Sequence, residues 1–160
     1  QNPDANGNAW FVKNIKYVKT ADQEIRALDS TLTKSTVVVN ENNIRKKINF
    51  SPELDSLAYI KLTEYSLNSL TYDTSSNKDE FAVFSEIYYK HGWNAYLDGV
   101  KQPHTNVNYI LRGMEIPKGE HIIKFKFEPS VIKSGSIISL ISYALMLLIP
   151  LSCFFYFKKS

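Results

Sequence analysis

Four side chains between positions 93 and 112 have the chemistry to hold a sugar. Trp93, Tyr96 and Asp98 lie together in WNAYLD, and Arg112 follows in LRG. An aromatic ring stacks on the apolar face of a pyranose, while a carboxylate accepts its hydroxyl hydrogen bonds. A guanidinium clamps an anionic substituent. Trp93, Tyr96 and Asp98 are therefore the sugar-contact candidates, with Arg112 near them for a charged group. A plainer reading stands beside this one. Trp93 then anchors a core, Asp98 opens an Asp98-Gly99 hairpin turn, and Arg112 ion-pairs with a neighbouring strand.

Other chemistries find little support. His91, His104 and His121 are scattered and form no HExxH pattern, so no metal site is expected. There is no GxSxG and no glycine-rich phosphate loop, and the single cysteine, Cys153, lies inside an apolar run. Sixteen acids offer carboxylate pairs by chance alone, so none is singled out. No residue is assigned a catalytic role, and no cofactor is expected in this stretch of chain.

The elements that must position the candidates lie in residues 81–128. Phe81, Val83, Ala82 and Phe84 make a strand apolar on both faces, which suits a position deep in a sandwich. Asp98-Gly99 favours a type I′ hairpin, and Pro117-Lys118-Gly119 marks another turn. Ile123, Phe125 and Phe127 then alternate with Lys124, Lys126 and Glu128, the period of a strand with one wet face. Ala58, Ile60 and Leu62 alternate in the same way, and residues 68–72 add a strand after a bend. Six or seven short strands between Tyr59 and Glu128 have the spacing of an all-β sandwich or jelly roll.

Upstream, residues 1–40 read as strand, helix, strand. Trp10, Val12, Ile15 and Tyr17 mark the first strand. Thr20 and Gln23 make a capping box for a helix over 21–29, with Ile25 and Leu28 on one face. Val37, Val38 and Val39 mark a buried strand. Residues 40–55 are polar, with Arg45-Lys46-Lys47 as part of a solvated loop or edge strand, or as a contact for anionic lipid or phosphate. The domain division expected is 1–40, then a β-sandwich over 41–132, then a membrane helix over 136–157.

That last run carries no charged residue. At about 1.5 Å per residue it reaches roughly 33 Å, enough for a bilayer core of about 30 Å. The lipid bilayer is thus the first partner. Lys133, Lys158 and Lys159 flank the run and account for the net charge of +3, so the β-part is formally neutral and no nucleic-acid partner is expected. The chain starts at Gln1 without an export signal, which suggests a fragment of a longer protein over a tail-anchored one.

The order FSE, YY, GW, DG, NY, R, P-G-H, F-F-P in FSEIYYKHGWNAYLDG and NYILRGMEIPKGEHIIKFKFEP, followed by S-G-x-x-I-S and an apolar helix, resembles the C-terminal end of YfhO-type bacterial membrane proteins. GNAWFVKNIKYVKTADQEI resembles the segment that precedes it there, so the likeness covers nearly all of residues 1–157. The family consists of large polytopic proteins related to GT-C-type glycosyltransferases. The resemblance implies an extracytoplasmic β-domain on the bacterial cytoplasmic membrane, packed with the remaining membrane helices of a parent chain. It also implies a polyprenyl-phosphate-linked sugar as donor and an envelope glycan or lipid as acceptor. The acidic catalytic residue of that superfamily belongs to an early loop with no counterpart in this sequence, so none is carried over.

The expectation is therefore a mainly β protein: a jelly-roll-like β-sandwich, a short strand-helix-strand piece before it and one transmembrane helix after it. Its role would be accessory, to position an acceptor or glycan or to cap the membrane part of a glycosyltransferase. The alternative is a non-catalytic, membrane-anchored module that binds a carbohydrate or a partner protein.

Overall fold

The computed structural model describes residues 5–44, 46–48, 50 and 55–159. In chain order the elements are β1 (Ala9–Val12), β2 (Asn14–Val18), α1 (Ala21–Leu28), β3 (Thr36–Asn40), β4 (Tyr59–Ser66), β5 (Ser69–Ser76), β6 (Glu80–Ile87), β7 (Trp93–Leu97), β8 (Val100–Gln102), β9 (Thr105–Val107), β10 (Leu111–Ile116), β11 (Gly119–Phe127) and α2 (Ser130–Lys159), with a 3-10 turn at Glu41–Asn43. They form two compact units, Gln1–Phe127 and Glu128–Ser160.

The first unit is mainly β and holds a β-sandwich, which takes in β1 from the 1–40 segment as well as the strands from Tyr59 onward. One sheet has the order β1-β6-β10-β9, the other β4-β5-β11-β7-β8, and β2-β3 form a separate parallel pair. From β5 onward the chain passes repeatedly from one large sheet to the other, and all pairings within those two sheets are antiparallel.

β6 explains why one strand is apolar on both faces. Ala82 and Phe84 pack with Phe11, Met114, Tyr72 and Phe125 between the two large sheets. Phe81 and Val83 point the other way, into a second cluster with Val12, Val37, Val39 and Val107, closed over by Ile44, Ile48 and Phe50. The four-stranded sheet is thus covered on both faces. The first core is tightly aromatic: the Phe84 and Phe125 rings meet edge-on at 4.9 Å, and Tyr72 meets Phe84 at 5.0 Å.

The strand-helix-strand piece is tied into the sandwich at several points. β1 pairs with β6. α1 starts as its capping residues predict: Gln23 N–H donates to Thr20 Oγ1 at 3.2 Å, and Lys19 N–H donates to Gln23 Oε1 at 3.0 Å. Val38 exchanges two hydrogen bonds of 2.8 Å with Asn108, one to its side chain and one from its backbone. From α1 the buried Glu24 accepts the Tyr109 N–H at 2.9 Å.

In the second unit α2 is 30 residues long, and Ser130–Pro150 is long and apolar enough to cross a membrane. Pro150 lies within the helix, as the sequence anticipates. Arg45 of the basic run lies outside the described residues.

Candidate functional site

The four sugar-contact candidates do not form one cluster, and the reason is the pleat. Trp93 and Tyr96 are three residues apart on β7, so they leave opposite faces of the strand. Trp93 shares its face with the buried Ala95 and packs against the inter-sheet core. Tyr96 lies on the outer face, opposite Lys124 on β11 and Lys101 on β8, with Lys126 Nζ 5.1 Å from its ring centroid.

Asp98 forms the hairpin turn. Its φ of 49° and the 82° of Gly99 are the pair of positive values a type I′ turn demands. Both carboxylate oxygens are occupied: Oδ1 accepts the Ile122 N–H at 2.9 Å, and Oδ2 lies 2.6 Å from His121 Nδ1. These hydrogen bonds, Ile122 first, hold its carboxyl below the ordinary value.

Arg112 is interior, at 1 % exposure. Its guanidinium carbon lies 4.4 Å from the Trp93 ring centroid and 5.0 Å from that of Phe125, while Nε donates to Ile87 O at 3.0 Å. Burial lowers its pKa, while the Glu86 carboxylate acts to raise it. The expected strand-to-strand ion pair is replaced by a cation held between rings. So the aromatic-carboxylate site expected at Trp93 and Asp98 is not assembled: Trp93 serves the core and Asp98 the turn.

A larger recess lies elsewhere, along the edge where β8 hands the chain to β9. β9 pairs with β10 only as far as Thr105 opposite Gly113. β10 continues to Ile116, so its last residues have no strand partner on that side. The result is a groove of about 750 Å³, within the range of ligand sites. Its wall of amides and an imidazole comes from Asn42, Asn43, Gln102, His104 and Asn106, with Tyr88, Pro103 and Met114 as apolar floor.

Two polar atoms in this wall, His104 Nε2 and Asn106 Oδ1, are buried and have no hydrogen-bond partner. The Asn106 amide is oriented by Nδ2, which donates to Tyr109 O at 2.8 Å. Burial, aided by Arg112 and Lys101, pushes the His104 imidazole down to about 4, so it is neutral at physiological pH. Its ring sits edge-on to Tyr88 at 5.3 Å and to Phe125 at 5.6 Å. Lys46, Lys90, Asp79 and Glu115 also line the groove, two charges of each sign. The lining is mixed, with amide and imidazole groups beside charges that balance in sign.

His104 and Asn106 carry no local signal in the sequence, because the groove depends on how two short strands cross between sheets. The parity of Trp93 and Tyr96, by contrast, is readable from their spacing. Among the described residues, no group of three or more His, Cys, Asp or Glu is placed to hold a metal ion.

Residues 14–139 match the family described as bacterial membrane protein YfhO. The chain belongs to the YfhO family. The match runs through the β-sandwich and into the apolar helix, so a membrane setting and α2 agree. A relative, the uncharacterized protein YfhO of Bacillus subtilis (strain 168), is 31% identical over 78 residues, covering 49% of this chain. The aligned part is 9% of that protein's length, so the chain spans a small part of the YfhO relative it matches. No solved structure matches the chain.

Proposed function

We propose that this chain is the extracytoplasmic C-terminal domain and last membrane helix of a polytopic glycosyltransferase in the bacterial cytoplasmic membrane. In this reading the parent protein transfers a sugar from a polyprenyl-phosphate donor to an envelope glycopolymer or lipid. The domain itself holds the acceptor or glycan, and the chemistry belongs to the parent's membrane part.

The observation that carries the holding role is the groove of about 750 Å³ and its lining of amide and imidazole side chains. The side chains of Gln102, His104 and Asn106 line that groove, and their amide and imidazole groups are the kind that exchange hydrogen bonds with a hydroxyl-bearing ligand. Family membership supports the membrane setting, and the resemblance to GT-C enzymes supports the sugar chemistry. Trp93, Tyr96, Asp98 and Arg112 are replaced in this role by Gln102, His104 and Asn106.

The unit ending at Phe127 contains both hydrophobic clusters, so the isolated domain ending at Pro129 is suitable for solution work. Titration with envelope oligosaccharides, followed by 15N NMR, should shift the Gln102, His104 and Asn106 resonances. Asn106→Ala should weaken binding about tenfold, the loss of one or two hydrogen bonds. No shift with any envelope sugar removes the glycan-holding role and leaves a scaffold module.

A further inference from the structure

The five-stranded sheet turns Leu70, Tyr72, Ala95, Ile123 and Phe125 into the inter-sheet core, so the alternate residues of its strands form an outer face. Strand register sorts the charges on that face into two halves. In one row Thr71, Lys124, Tyr96 and Lys101 stand opposite one another on β5, β11, β7 and β8. Lys126, two residues along β11, is opposite Ser69 and Asn94. Glu64 bounds this half on β4, where it accepts the Thr71 hydroxyl at 3.2 Å. The other acids lie toward the opposite end. Asp73 is opposite Ile122 and Lys61, Glu120 is opposite Ser75, and Asp98 accepts the Ile122 N–H.

The basic half holds its lysines close together. Lys101 and Lys124 flank Tyr96 two strand spacings apart, about 10 Å, and Lys126 follows Lys124 by about 7 Å along the strand. Like charges at this spacing repel. Among the described residues none of the three is ion-paired. The Lys126 ammonium lies instead 5.1 Å from the Tyr96 ring centroid, a contact that orients both side chains.

We infer that this half-face, built on Tyr96, Lys101, Lys124 and Lys126, binds an acidic oligosaccharide at a site separate from the groove. The lysines pair with carboxylates on the sugars, and Tyr96 supplies apolar surface for a sugar ring to pack on. The division of charge selects the occupant. A flat anionic membrane laid on the sheet would meet Asp73, Asp98 and Glu120 as well as the lysines, and anionic lipid repels carboxylates. A slender chain running across β11, β7 and β8 meets the lysines without those acids. A polyanion lacking sugar rings would leave the tyrosine between the charges without a role. Every residue of the site lies in the β-unit, and the inference does not rest on the groove.

Calorimetric titration of the 160-residue chain in phosphatidylcholine nanodiscs tests it, with oligogalacturonate as the probe and its methyl ester as the uncharged match. Oligogalacturonate should bind, and the ester should bind at least about tenfold more weakly. Lys101→Gln and Lys124→Gln should each weaken binding several-fold, as should Tyr96→Leu. Lys101 is exposed on an edge strand, so its replacement tests the face without threatening the fold. Amide shifts in 15N NMR should centre on Tyr96, Lys101 and Lys124. Shifts confined to Gln102, His104 and Asn106 overturn this site and leave the groove reading standing. No binding of oligogalacturonate also overturns it. Equal binding of polyglutamate reduces the face to a charge patch and overturns the saccharide. Tighter binding to phosphatidylglycerol vesicles, lost in the same lysine variants, makes the face a membrane contact and overturns it as well.

Discussion

The Arg112 guanidinium is stacked 4.4 Å from the Trp93 ring inside the sandwich, two residues that the sequence offered as partners for a ligand and that are partners for each other. A charge this deep is tolerated because the flat guanidinium meets two ring faces and the Ile87 carbonyl. Desolvation still makes it costly. Arg112→Lys loses the planar stacking and keeps the charge, so it should destabilise the domain by about 2 kcal/mol or more. Arg112→Met fills similar volume without a charge and should change stability by less than about 1 kcal/mol. Urea unfolding of the isolated domain separates the two; a methionine variant weaker than the lysine one contradicts the account.

How much of this was legible depends on whether the signal was local. β6 announced its two covered faces through Phe81 to Phe84, and Asp98-Gly99 announced its turn, because alternation and positive φ are properties of a few adjacent residues. Thr20 and Gln23 announced the start of α1 for the same reason. The interior position of Arg112 was not legible: it rests on rings from β7 and β11, which no spacing in LRG reports. β8 follows from the Asp98-Gly99 hairpin, but the three-residue β9 has no local signal. With it went the groove that β8 and β9 open and its His104 and Asn106. Tyr96 is different. Its separation from Trp93 by an odd number of residues was enough to place the two on opposite faces.

Gly113 marks a close approach that the sequence could not show. A Cβ there would lie 2.7 Å from Phe81 Cζ and 2.9 Å from Val107 Cγ1, both fixed in the second core. Gly113→Ala should therefore cost about 1–3 kcal/mol through overpacking. The midpoint of urea unfolding reads this directly. An alanine variant as stable as the parent chain would show that Phe81 has room to move.

Asp98 should make the β7–β8 turn acid-sensitive. Its folded-state pKa is lowered by hydrogen bonds from Ile122 and His121, so its stabilising effect is complete above the unfolded value, near 3.9, and fades as pH falls below it. Asp98→Asn keeps an acceptor for Ile122 and tolerates the positive φ, but lacks the charge. The two proteins should differ in thermal midpoint at pH 6 and converge toward pH 2. Half of the Asp98 side chain is exposed, so the difference should be small. A constant gap across that range would show that the turn's stability does not depend on ionisation.

His104 works in the same direction, in a different pH window. Its imidazole is depressed to about 4 against an ordinary 6.5, first by burial and then by Arg112 and Lys101. Below about pH 6.5 the unfolded chain takes up a proton at this position that the folded chain refuses, so stability falls with pH until about 4 and then levels. The full effect is up to roughly 3 kcal/mol, from a shift of about 2.5 pH units. His104→Gln keeps polar atoms in the groove wall and removes the titration. Its stability should be flatter between pH 6.5 and 4 than that of the parent domain, with the two profiles parallel above pH 7. Glycan held by the neutral imidazole should also oppose the proton, so saturating ligand should carry the loss of stability on to lower pH, an extension that the glutamine variant should lack. Calorimetry across this pH series, with and without ligand, measures both slopes; identical profiles for the two proteins would place His104 outside the buried environment that the groove wall gives it.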